Sequence, residues 1–374
     1  MKNSENIKHP ANLQELILQL KKENAEPVRY RMEMEEFLRV KALEEGIPMY
    51  GKFELTPLCN LDCKMCYVHL KRDQLKGSQL LSVAQWQHLM KEAADAGMQF
   101  ATLTGGECLT YPGFQDLYLY LQSMGVQIIV MTNGVLISEE WIRFFTEHPP
   151  KIIQISLYGS TENAYEKVTG HRYFRQVMQG IQIITKAGLP LQIAVTPSRY
   201  MEDGEEIIRL ADHWGDTFII SASLFDPYEE TGRKGQQVDM PEEDYLKLYR
   251  LQAMLCGREL RPGCLESLPL PKEKNVQETP RGVRCGAGRS GFVITWDGRI
   301  QPCSMLRGIQ RFPLKEGFAN SWECIHQSVE NILRPIECEI CRYQNVCIQC
   351  VAEHARTAPE GHASPKVCAW RKRL

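Results

Sequence analysis

The chain lacks an apolar run of about 18 residues, the length a membrane-spanning helix needs, so no helical span is predicted. Its first twenty residues are polar and broken by Pro10, without the apolar centre of a secretory signal. Neither charge is in excess: 44 Lys and Arg against 46 Asp and Glu leave a net charge of −2. Nucleic acids and anionic membrane surfaces are held by concentrated Lys and Arg, so neither is an expected partner. No low-complexity segment is present. Together these absences predict a soluble, cytoplasmic protein.

Cysteine, by contrast, is abundant, at fourteen residues. Scattered disulfides are disfavoured in a reducing compartment, and clustered cysteines there point to metal ligands. Eight of the fourteen lie between Cys285 and Cys368, and a separate tight group opens the chain. That group, Cys59, Cys63 and Cys66, reads C-x3-C-x2-C followed by Tyr67. Tetrahedral zinc and ordinary iron–sulfur clusters take four protein ligands. Three thiolates leave one metal corner open, where a small molecule can bind and react. A zinc site completed by His69, three residues past Cys66, is the alternative.

At 374 residues and 43% hydrophobic, the chain can bury a full core, as two domains or one large barrel with an appendage. Residues 1–48 are charged and helical in pattern, with helices over 12–20 and 29–45. Strands are predicted at Lys52–Thr56, Gln99–Thr104, Gln127–Thr132, Ile152–Leu157, Leu191–Thr196 and Thr217–Ala222. Helical patterns fall between them, at Val83–Ala96, Phe114–Met124, Ser138–Thr146, Tyr173–Lys186 and Glu205–His213, several closed by glycine. Six βα repeats imply a parallel sheet with right-handed crossovers. Six strands rather than eight predict an α/β fold with an open, partial (β/α)6 TIM-like barrel. Active groups gather at the carboxyl ends of such strands, and the Cys59–Cys66 loop directly follows the first. Four segments are expected: 1–48, an N-terminal helical segment; 49–235, the partial barrel; 236–284, a linker with a helix at Pro241–Leu255; and 285–374, a cysteine-rich domain.

The C-x3-C-x2-C-aromatic motif resembles the signature of the radical S-adenosylmethionine (SAM) superfamily. The resemblance implies that Cys59, Cys63 and Cys66 hold a [4Fe–4S] cluster whose open iron is chelated by SAM. Reductive cleavage then yields methionine and a 5′-deoxyadenosyl radical that takes a hydrogen atom from substrate. Thr104-Gly105-Gly106-Glu107, closing the second strand, resembles the family's G-G-E segment, which binds the SAM amino group. Tyr67 matches the aromatic position beside adenine, and Ser156 a strand-end serine that contacts SAM. Cys108 reads as unligated, and Arg172 and Arg175 as solvated helix arginines rather than partners of the SAM carboxylate.

Downstream, Phe292–Trp296, Asp297-Gly298 and Arg299–Gln301 predict a hairpin with an Asp-Gly turn. Cys285, Gly298-x4-Cys303, Cys338-x2-Cys341-x5-Cys347-x2-Cys350 and Cys368 resemble the SPASM domain appended to many radical SAM enzymes; the Cys347–Cys350 spacing is one residue shorter than usual. By that resemblance Cys285, Cys303 and Cys350 hold one auxiliary [4Fe–4S] cluster; it needs a fourth ligand, for which Cys264 is the first choice, with Cys256, Cys324 or an open iron as alternatives. Cys338, Cys341, Cys347 and Cys368 hold a second. Two C-x2-C pairs as a zinc ribbon would leave Cys285, Cys303 and Cys368 unused.

The family implies a peptide or protein substrate and an electron donor such as flavodoxin or ferredoxin. The expected function is oxidative modification of a ribosomally made peptide by a carbon–carbon or thioether crosslink. Anaerobic sulfatase maturation is the alternative, but those enzymes have an Asp where this chain has Ser304. Residues 1–48 are too short and too helical for a winged-helix leader-binding domain, so a separate leader-binding protein or direct binding is expected. Asp226, Tyr228 and Glu229 are positioned to act as a base or to be solvated; no catalytic residue is assigned. A hypothesis of another class is a zinc-stabilised, non-enzymatic scaffold.

Overall fold

The computed structural model describes residues 27–75, 80–221, 224, 226–231, 238–257, 281–341, 350–355, 358–359, 361–365 and 368. The helix expected over 12–20 and the candidate ligands Cys264 and Cys347 lie outside the described residues.

Six parallel strands form the sheet: β1 (Tyr50–Glu54), β2 (Phe100–Thr104), β3 (Gln127–Thr132), β4 (Ile152–Leu157), β5 (Leu191–Val195) and β6 (Thr217–Ile220). All but β1 are short runs with β-branched residues, and the sheet's central side chains are buried: Phe53, Leu103, Val130, Ile153, Ile155 and Ile193 are all 0% exposed. The helices between them are α1 (Pro27–Glu45), which precedes β1, then α2 (Val83–Asp95), α3 (Phe114–Ser123), α4 (Glu139–Glu147), α5 (Glu162–Thr169), α6 (Phe174–Lys186) and α7 (Gly204–Trp214); α8 (Glu242–Leu255) follows β6. Ser82 and Gln85 form a capping box at the start of α2, whose inner stripe is Trp86, Leu89, Met90 and Ala93. The sheet stays open, so the expected partial barrel is found.

Two features were not foreseen. The helix α5 is only 8 residues long, too short for a clear 3.6-residue pattern. More consequential, the sheet order is β6-β5-β4-β3-β2-β1-β7-β8. The strand β7 (Gly291–Ile294) pairs parallel with β1, and β8 (Ile300–Gln301) pairs antiparallel with β7. The hairpin with its Asp-Gly turn therefore forms as expected, but as an extension of the barrel sheet across the expected boundary at 285. Aromatic packing locks it there. Phe292 meets Phe53 edge-on with centroids 5.9 Å apart and Phe318 at 5.0 Å, where Phe318 opens a further helix, α9 (Phe318–Glu330). Such pairs add roughly 0.5–1.5 kcal/mol each beyond area burial.

The register places the interior face. Residues two apart on a strand share a face, so Lys52 and Glu54 point the same way. Lys52 pairs with Thr102 on one side and Val293 on the other, and Glu54 with Thr104. Ile294, by contrast, pairs with Phe53 on the opposite face.

Candidate functional site

The cysteine loop leaves the carboxyl end of β1 and is fixed by backbone bonds before any side chain is considered. Asp62 and Lys64 donate their amides to Thr169 and Val168 at the end of α5, at 2.9 and 3.0 Å. On the other side, Gly106 and Glu107 donate amides to the carbonyls of Thr56 and Leu58, at 2.7 and 2.9 Å. This contact explains the two glycines. A Cβ on Gly105 would stand 2.3 Å from the Thr56 carbonyl oxygen, and one on Gly106 2.4 Å from that of Leu58. Only glycine lets the end of β2 approach the loop so closely.

The loop and the strand ends enclose a cavity of about 330 Å³. All three cysteines line it, together with Tyr67, Gly105, Gly106 and Ser156, so the structure brings these expected residues to one place. The strand ends also contribute Thr132 from β3, Asn133 just past it, Gln154 from β4 and Thr196 after β5; of these, sequence reasoning points only to Asn133, in the Thr-Asn-Gly that ends the third strand at this rim. The loop already directs hydrogen-bond donors at two of its sulfurs. Leu61 N–H points to Cys59 Sγ at 3.4 Å, Asn133 Nδ2 to the same sulfur at 3.6 Å, and His69 N–H to Cys66 Sγ at 3.3 Å. Donors to sulfur are a means by which proteins tune iron–sulfur centres. Burial, with Glu107 adding repulsion, pushes the Cys59 thiol up to about 12. A metal that binds there must therefore displace protons.

Glu107 is placed differently from the other expected residues. It is 1% exposed and does not line the cavity. Its Oε1 accepts from Thr132 Oγ1 at 2.8 Å and Leu109 N at 3.1 Å, and its Oε2 from Asn133 N at 2.8 Å. Burial raises its carboxyl above the ordinary range, and these bonds offset that in part. Its acceptors are spent on holding the end of β3, and through Asn133 it reaches the cysteine loop: Asn133 Nδ2 donates to Asn60 Oδ1 at 2.7 Å.

His69 is 8% exposed, lines the cavity, and lies 3.4 Å from Asp62. Cys108 is buried and its thiol donates to the Met131 carbonyl. Arg172 pairs with Glu166 and Asn163, and Arg175 with Glu162, away from the cavity. Asp226 and Glu229 are exposed, whereas Tyr228 is 4% exposed and donates to Glu54.

Beyond the cavity wall, Cys285, Cys303 and Cys350 interact electrostatically. Burial raises the Cys350 thiol, and Cys285 and Cys303 add to it; burial also raises Cys303, which Lys52 partly relieves. Cys338 is buried, with Cys341 donating its amide to the Cys338 carbonyl at 3.4 Å. Cys256 is exposed at the end of α8 and Cys324 lies on α9. Among the described residues no three Cys, His, Asp or Glu side chains form a closed metal-holding group. The thiols of the cysteine loop nevertheless fit a cluster: Cys63 is buried and Cys59 and Cys66 half-buried, N–H donors aim at two of the sulfurs, and a glycine cradle and a cavity adjoin them.

Known proteins match this arrangement. The antilisterial bacteriocin subtilosin biosynthesis protein AlbA of Bacillus subtilis is 25% identical over 288 residues, 76% of this chain and 61% of AlbA. The AdoMet-dependent heme synthase of Methanosarcina barkeri is 24% identical over 334 residues, 82% of this chain and 91% of the synthase. Among solved structures, Streptococcus suis SuiB bound to S-adenosylmethionine superposes with a TM-score of 0.65 at 18% identity, covering 95% of this chain and 87% of SuiB. SuiB bound to its precursor peptide SuiA gives the same TM-score of 0.65. At that identity the likeness to SuiB shows the fold. The profile of the Radical SAM superfamily matches residues 53–211, which span β1 to α7 and carry the cysteine loop, the Gly-Gly-Glu turn and Ser156. Residues 53–211 are a radical SAM domain.

Proposed function

We propose that this chain is a radical SAM enzyme that oxidatively modifies a ribosomally made peptide, forming a carbon–carbon or thioether crosslink. The radical SAM domain over residues 53–211 implies a [4Fe–4S] cluster and SAM. When bound, they supply a 5′-deoxyadenosyl radical that removes a hydrogen atom from the substrate. Cys59, Cys63 and Cys66 would hold the cluster, and Tyr67, Gly105, Gly106 and Ser156 would border SAM. Glu107 serves the same site by fixing Asn133 and the end of β3 rather than by facing the ligand. The apolar wall of Leu61, Met65 and Val68 excludes water from the cluster side.

The observation that supports the oxidative reading is the second thiol group, in which Cys285, Cys303 and Cys350 interact and Cys303 also feels the cavity-lining Lys52. A substrate radical that closes a crosslink must also lose an electron, and an auxiliary cluster on these residues would take it. Cys264 is proposed as its fourth ligand. Cys338, Cys341, Cys347 and Cys368 would hold a second auxiliary cluster, and residues 285–374 would act as the SPASM domain of a barrel over 49–235. The peptide substrate is supported by the likeness to AlbA and to peptide-bound SuiB. A flavodoxin or ferredoxin would deliver the first electron, and a separate leader-binding protein is a further proposed partner.

The test is anaerobic incubation with SAM, dithionite and synthetic peptides for any short open reading frames found beside the gene. The expected product is a peptide lighter by two hydrogens, formed with 5′-deoxyadenosine. The near full-length match to the heme synthase favours a second reading, a small-molecule substrate. It predicts SAM cleavage with no change in the peptide.

A further inference from the structure

Lys52 on β1 is a cation that none of the roles above uses. Among the described residues that line the cavity it is the one ammonium, and none carries a carboxylate. His69, the other basic group there, stands 3.4 Å from Asp62. The polar remainder, such as Thr132, Asn133, Gln154, Ser156 and Ser221, is neutral.

The nearest acid in the chain does not neutralise it by direct contact. Glu54 shares a face of β1 with Lys52, but its oxygens are taken by hydroxyls. Tyr67 donates to Oε1 at 2.9 Å, Ser304 to the same oxygen at 3.5 Å, and Tyr228 to Oε2 at 3.1 Å. Lys52 Nζ instead donates to the Tyr67 hydroxyl at 3.3 Å and lies 5.8 Å from the centre of that ring. Among the described residues no carboxylate stands within ion-pair distance of Nζ.

An ammonium carries three N–H donors. Here one meets a neutral phenol oxygen, at the long end of the hydrogen-bond range. A half-buried cation among neutral groups favours an anion, since a hydrogen bond between charged partners is roughly twice as strong as a neutral one. Position also matters. The cysteine loop, the Gly-Gly turn and Ser156 lie at or beyond the strand ends, whereas Lys52 sits two residues back from the end of β1. We infer that Lys52 is an acid-recognising residue of the cavity: it pairs with a carboxylate of the substrate, selects an acidic substrate and fixes how that substrate lies. The inference rests on this cavity being where substrate meets SAM, and not on the substrate being a peptide. The carboxylate has two sources: an Asp or Glu side chain of a peptide, or a small carboxylic acid.

The experiment titrates defined probes into the anaerobic, SAM-loaded holoenzyme without reductant and reads affinity by calorimetry. One pair of probes is acetyl-Gly-Glu-Gly-amide and its glutamine isostere; the other is glutarate and glutaramide. Wild type should bind the acid of at least one pair about tenfold or more tighter than its amide, the scale of a hydrogen bond to a charged group. A preference in the peptide pair supports a peptide side chain as the source, and one in glutarate alone supports a small acid. Lys52→Met should keep its iron and SAM affinity and lose the preference, whereas Lys52→Arg, which keeps the cation, should retain it. Where Lys52→Met fails to hold iron, Lys52→Gln, with a neutral polar head, takes its place. No preference in wild type, no binding of either acid at millimolar concentration, or an undiminished preference in Lys52→Met would each overturn the inference; the last would leave Lys52 as a balance for Glu54. SAM affinity lowered about tenfold in Lys52→Met would overturn it too, by placing the carboxylate of SAM itself on the lysine. Wild type that holds no iron and binds no SAM would overturn the radical SAM reading, and this inference with it.

Discussion

Glu107→Gln separates a scaffold from a ligand. The carboxylate uses Oε1 for Thr132 and Leu109 and Oε2 for the Asn133 amide. An amide can keep only one oxygen. With that oxygen on the Thr132 side, its NH2 group confronts the Asn133 N–H, donor against donor. An unsatisfied buried donor costs about 1–3 kcal/mol. Removing a buried charge recovers part of that, so a net loss of roughly 1–2 kcal/mol is expected. The damage should spread to the cysteine loop, because Asn133 holds Asn60 and points at Cys59. Burial also sets the pH dependence. A carboxyl raised in the fold binds its proton at pH values where the unfolded chain has released it, so stability falls as pH rises from the unfolded to the folded value. Glutamine removes that contribution. Urea titrations of wild type and variant at several pH values, with iron content and SAM affinity by equilibrium dialysis, read all three effects. Unchanged stability and iron with SAM affinity lowered tenfold or more would refute the scaffold account and place the carboxylate on SAM.

Two further substitutions probe the frame around the cavity. Gly106→Ala puts a methyl 2.4 Å from the Leu58 carbonyl oxygen; parting the strand end from the loop loses two backbone bonds, roughly 1–3 kcal/mol together, and lowers iron per chain in anaerobic preparations. A variant with full iron and wild-type SAM affinity would contradict that close approach. Phe292→Ala removes a 2%-exposed ring that joins β7 to Phe53 and Phe318 and should cost about 3–5 kcal/mol in urea unfolding; a loss below about 1 kcal/mol would show that the hairpin is not part of the barrel core.

The local features were readable in the sequence because each depends on near neighbours. The spacing of Cys59, Cys63 and Cys66 fixes one loop, and β-branched runs fix the strands: β3 and β4 begin and end at the expected residues. What escaped depends on distant segments or on backbone direction. Glu107 was expected to face a ligand, but the turn after Gly106 sends its side chain to β3 instead. The burial of Tyr228 was not legible, since its partner Glu54 lies 174 positions away. Nothing in residues 285–330 announces pairing with β1, because a parallel partner can come from anywhere in the chain. Helix α9 carries an apolar stripe of Phe318, Trp322, Ile325 and Val329, but it opens at Gly317 with no side-chain cap, so no start signal marks it in the sequence.

The most direct test of the central claim, that Cys59, Cys63 and Cys66 hold an iron–sulfur cluster with a corner open to SAM, compares wild type with Cys66→Ala after anaerobic purification. Wild type should carry about twelve irons per chain, four for each of three cubane clusters, show an electron-paramagnetic signal that SAM alters, and release 5′-deoxyadenosine with dithionite; the variant should retain the auxiliary iron but release none. Zinc without iron in the wild type, or undiminished 5′-deoxyadenosine from Cys66→Ala, would contradict it.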